Sequence, residues 1–111
     1  MNETITAVLP ITISPDVRPL LQEREAEEQF SGTLELIRKC FPQLLSLDVY
    51  LQEDCTDPKW IRVVIDVYFS SIAAESESFL QQWREFDQQL VVLLPIDYLS
   101  LFLVMRRYIV S

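Results

Sequence analysis

The sequence predicts an α+β fold, a two-layer sandwich in which two helices cover one face of a three to four stranded mixed sheet. Two stretches, "LLSLDVYLQ" and "WIRVVIDVYF", alternate over strand lengths. Two others carry apolar residues at spacings of three and four, the mark of a helix with one core-facing stripe. The short polar segment "EDCTDPK" joins the two alternating stretches and makes an antiparallel hairpin their simplest arrangement. The element order is then αββαβ, with an optional strand in front.

Each element has its own reason. In "ITAVLPITISP" the residues Ile5, Ala7, Leu9, Ile11 and Ile13 alternate strictly, but Pro10 removes a ladder donor, so residues 1–15 read as an edge strand or an arm. The remaining 16–111 read as a single domain. Ser14 or Asp16 is placed to cap a helix that tolerates Pro19 in its first turn and runs from Asp16 to about Cys40. Its first half is acidic, with Glu23, Glu25, Glu27 and Glu28, and its second half carries Phe30, Leu34, Ile37 and Phe41 toward the core. Gly32 is expected to weaken or bend it midway, and Pro42 ends it. Leu45, Leu47, Val49 and Leu51 then form the buried side of the first hairpin strand. After Phe69, the residues Phe79, Trp83, Phe86, Leu90 and Leu93 give the clearest helical stripe in the chain, with Asp87 at its border, and Pro95 terminates it. A last strand is expected with Leu99, Leu101, Leu103 and Met105 on the core side and Phe102, Val104, Arg106 and Tyr108 on the other.

Composition excludes more than the motifs include. With 111 residues, 50% of them hydrophobic, the chain has material for one core. Nine basic against seventeen acidic residues leave a net charge of −8, which repels nucleic acid and favours a basic protein partner. No histidine is present, which removes the usual catalytic triad, an imidazole base and His-liganded zinc. One glycine, Gly32, cannot build a phosphate-cradling loop, so no nucleotide cofactor, and no cofactor of any kind, is expected. Cys40 and Cys55 lack a metal-binding or redox spacing and read as buried thiols. Glu53, Asp54 and Asp57 in the hairpin turn lack the alternation and glycine of a calcium loop, so no metal site is expected. The tract from Leu90 to Met105 is interrupted by Pro95 and Asp97 and is too short for a membrane span. Met1 is followed by polar residues rather than by a leader pattern, so the expected location is cytoplasmic.

The second hairpin strand raises the functional question. Ile61, Val63, Ile65, Val67 and Phe69 form its core face, while Trp60, Arg62, Val64, Asp66 and Tyr68 suit neither a dry core nor an ordinary wet surface. Tyr50, Trp60, Arg62, Asp66, Tyr68, Phe102, Arg106 and Tyr108 are therefore expected to share one exposed sheet face, rich in the aromatic and Arg residues that interfaces favour. Arg62 and Asp66 lie about 13 Å apart along the strand, too far to pair, so Asp66 is expected either to meet Arg106 across the sheet or, with it, to meet the same residues of a second subunit. This points to a non-enzymatic, homodimeric interaction or regulatory accessory protein. The alternative is a small ligand-binding domain or enzyme whose pocket forms at that face or at the dimer interface, using Arg62, Asp66 and Arg106, with Asp48 and Asp66 as a carboxylate pair for acid-base work.

Overall fold

The computed structural model describes residues 9–54 and 56–109, with residues 54, 57–60 and 74 described by backbone alone. Strand β1 (Ile11–Ile13) leads to helices α1 (Val17–Glu23) and α2 (Glu27–Cys40), then to strands β2 (Ser46–Asp54) and β3 (Asp57–Ser70). A 3-10 turn at Ala73–Glu75 precedes α3 (Glu77–Leu93), the single-turn α4 (Ile96–Leu99) and β4 (Phe102–Ile109). The sheet order is β1-β2-β3-β4. Its central pair is the antiparallel hairpin, and each edge strand runs parallel to its inner neighbour. The α+β class, the mixed sheet and the N-terminal edge strand thus agree with the sequence reading, with Ile5 and Ala7 outside the described residues.

Alternation decides which sheet face is covered. Leu47, Val49, Val63, Ile65, Val67 and Phe69 are buried and belong to one core cluster with the stripes of α1, α2 and α3. An aromatic group anchors that cluster where α2, β3 and α3 converge: Phe41 lies 4.6 Å from Trp83 and 5.3 Å from Phe69, and Phe69 lies 4.8 Å from Phe79, ring centre to ring centre. Such tilted and edge-on pairs contribute about 0.5–1.5 kcal/mol each beyond their buried area. Asp87, at the border of the α3 stripe, is exposed rather than buried.

The first helical segment differs from the single helix expected over 16–40. It is interrupted at Arg24–Ala26 rather than bent at Gly32, because the chain closes α1 with a complete C-terminal cap. Glu25 adopts φ 54°, its N–H bonds to the Gln22 carbonyl at 3.2 Å, and the Ala26 N–H bonds to the Leu21 carbonyl at 2.8 Å. These are the two bonds of a Schellman motif, with Glu25 in the left-handed position that glycine usually fills. Asp16 stands at the start of α1 without a side-chain capping bond, and the Val17 N–H instead meets the Ser14 carbonyl at 3.1 Å.

The last strand is the larger correction. Phe102, Arg106 and Tyr108, expected on the open face, lie on the helix-covered side. Phe102 is buried and stacks at 6.2 Å on Phe30, the Arg106 guanidinium sits 5.1 Å over the Trp83 ring, and Tyr108 stands 6.4 Å from Phe79. Val104, expected with them, also packs against the core. The cause is local. Pro95 initiates α4, which takes up Leu99, and Leu101 falls in the following turn, so two residues of the supposed strand alternation belong to other geometry. The strand begins at Phe102 and its phase is inverted.

Candidate functional site on the open sheet face

Because successive strand residues point to opposite sides, the registers define the uncovered face. On β2 and β3 it comprises Ser46, Asp48, Tyr50 and Gln52 facing Tyr68, Asp66, Val64 and Arg62 respectively. On β4 it comprises Leu103, Met105, Arg107 and Ile109, in register with Val64, Asp66, Tyr68 and Ser70. Tyr50, Arg62, Asp66 and Tyr68 of the expected set therefore share this face. Trp60 lies on the β3 backbone, and its side chain is outside the described residues.

The centre of the face is a polar cluster in an apolar frame. Asp48 and Asp66 lie directly opposite each other, an arrangement that like charges disfavour. Two neighbours offset it. Arg107 brings Nε to 3.3 Å from Asp66 Oδ1 and donates a hydrogen bond to the Tyr50 hydroxyl, while the Tyr68 hydroxyl donates to Asp48. Arg107 and Asp66 meet as an ion pair in which charge attraction outweighs the hydrogen bond. The hydrogen bond from Arg107 to Tyr50 and the Asp66 carboxylate raise the guanidinium above its usual value. Desolvation first, then the Asp48 and Asp66 carboxylates, push the Tyr68 phenol above its usual value near 10. Val64 and Asp66 are only 2% and 5% exposed although no helix covers them. Tyr50, Tyr68, Leu103 and Met105 around them are half-buried, and Ile109 is more open.

Asp66 thus pairs with Arg107 and not with Arg106, whose cation is committed to Trp83 on the other side of the sheet. The set of Arg62, Asp66 and Arg106, expected to line a pocket for an anionic or polar ligand, is accordingly not assembled on one face. Leu103, Met105, Arg107 and Ile109 were missed for the same reason that Phe102 was misplaced. The signal that locates them is "PIDYLS", where Pro95 and Asp97 fit the opening of a helical turn and move the strand start past Leu101.

Among the described residues, cavities open elsewhere as well. One lies beside Leu9, Pro10 and the α2 end near Phe41, one between α2 and α3, and a small one beside Arg24 and Tyr98. Among the described residues Cys40 is a free thiol, half-buried near the end of α2. Burial pushes its pKa up, an effect Lys39 opposes and Glu85 reinforces, so it remains a protonated thiol at neutral pH. No helix among the described residues is long and apolar enough to cross a membrane. Comparison with family models, with curated proteins and with solved structures finds no match to this chain.

Proposed function

We propose that this chain is a non-enzymatic interaction protein that pairs with a second copy through the open sheet face and serves as a regulatory or accessory component. The observation that carries the reading is the character of that face. Tyr50, Val64, Tyr68, Leu103, Met105 and Ile109 frame two carboxylates, Asp48 and Asp66, that are balanced by two guanidinium groups, Arg62 and Arg107. On a chain of net charge −8, a locally neutral face that is half apolar is where two copies approach with least repulsion. A two-fold axis through it would pair each residue with its complement on the other copy, since such an interface is self-complementary.

Light scattering tests it. The protein at micromolar concentration is expected at twice the 13.0 kDa chain mass. Tyr68→Glu and Leu103→Glu, which place a charge in the apolar frame, are expected to return it to the single-chain mass with the circular dichroism spectrum retained. A monomeric unmodified protein would overturn the reading.

A further inference from the structure

The helical side of the molecule carries a second surface that folding leaves unexplained. The groove between α2 and α3 encloses about 540 Å³ over Gly32, Leu36, Val92 and Leu93, with Gln88 and Gln89 along its α3 rim. Val92 is 87% exposed and Leu93 44%, so the groove's α3 wall is bare aliphatic surface. Its floor holds the one glycine of the chain. Glycine is among the poorest residues in a helix interior, and usually a positive φ or a steric clash accounts for it. Neither applies to Gly32. Its φ is not positive, and a Cβ built on it would meet only the Leu93 side chain, at 3.5 Å or more, an ordinary contact. What the missing side chain does provide is depth in the groove.

We propose that this groove takes a basic amphipathic helix of a partner protein. Charge selects the sign. Glu35 lines the groove and Glu28 stands one turn before Gly32 on the same helix, while Glu85 of α3 lies near enough to Cys40 at the end of α2 to act on its thiol; the cation lining the groove is Lys39. Lys39 at one end of the rim is spaced to pair with Glu35 along the same helix. An apolar stripe flanked by Lys and Arg therefore meets both the aliphatic floor and the acidic margins. Backbone chemistry selects the shape. The groove walls are helices whose own N–H and C=O groups are already paired, so an extended segment would bury unsatisfied backbone there. A helix brings its backbone bonds with it.

A labelled synthetic helical peptide with Leu at i, i+3, i+4 and i+7 and Lys or Arg elsewhere is the probe, followed by fluorescence anisotropy. Its counterpart keeps the Leu pattern and carries Glu instead. The basic peptide is expected to bind at least about tenfold tighter, and added salt to narrow the gap. Val92→Glu is expected to weaken binding even though it adds an attractive charge, and Gly32→Ala to raise the thermal midpoint while lowering affinity. Equal binding by the Val92→Glu variant would reduce the effect to non-specific charge attraction and overturn the proposal, as would equal affinity for both peptides or no binding of either. A fall in mass of the Val92→Glu variant in light scattering would assign the groove to a second copy instead.

Discussion

Glu25 shows how a single residue divides what sequence periodicity joins. Its φ of 54° lies in the left-handed region, where a side chain costs roughly 1–2 kcal/mol relative to glycine. The cap bonds of Ala26 and of Glu25 itself offset that cost, and the Tyr98 hydroxyl donates to the Glu25 carbonyl at 3.1 Å, fixing the joint from α4. Glu25→Gly is therefore expected to stabilise the protein by about 0.5–1 kcal/mol, after allowance for the greater freedom glycine gives the unfolded chain. Urea denaturation should show this as a higher midpoint at an unchanged slope. A lower midpoint would mean that the strain is relieved elsewhere.

At the scale of elements, the inverted phase of β4 makes the sharpest prediction. Phe102→Ala removes a buried ring from the core and should cost about 3–5 kcal/mol, whereas Leu103→Ala, on the uncovered face, should cost clearly less. Comparable losses, or the reverse order, would contradict the register. The contrast also marks where the sequence was readable. Leu47, Val49 and Leu51, and Ile61 through Phe69, alternate without interruption, so their faces were legible and with them Tyr50, Arg62, Asp66 and Tyr68. The α3 stripe of Phe79, Trp83 and Phe86 was legible because each residue is both large and buried. In β4 nearly every residue is apolar or basic, and Leu99 and Leu101 extend a false alternation backward through α4 and a turn. Arg107 as the partner of Asp66 was hidden by that one-residue error, since a strand read one position out exchanges its two faces. The break at Glu25 was hidden because a non-glycine residue holds the glycine position of the cap.

Across the whole molecule, acidic charge gathers on the helical layer while the open sheet face is near neutral, and pH offers a handle on that balance. Tyr68 ionises at a higher pH in the folded protein than in the unfolded chain. The stability this difference contributes is fully present below the ordinary phenol value near 10 and is lost as pH rises through the raised folded value. Denaturation midpoints measured from pH 8 upward should therefore fall more steeply for the unmodified protein than for Tyr68→Phe, and identical curves would exclude a role for this phenol. The strand layout carries a consequence of its own. The β2-β3 hairpin sits at the centre of the sheet with an adjacent strand in sequence as its partner, whereas each edge strand joins only after a helical excursion. Of the two edges, β1 is held by the shorter ladder, three residues long, flanked by the Leu47 N–H to Pro10 carbonyl bond at 3.0 Å and the Ser14 N–H to Val49 carbonyl bond at 2.9 Å. Local opening should begin there, well before the hairpin yields. Each such opening momentarily frees the Leu47 N–H and the Val49 carbonyl, turning β2 into a bare edge on which another strand can exchange with β1.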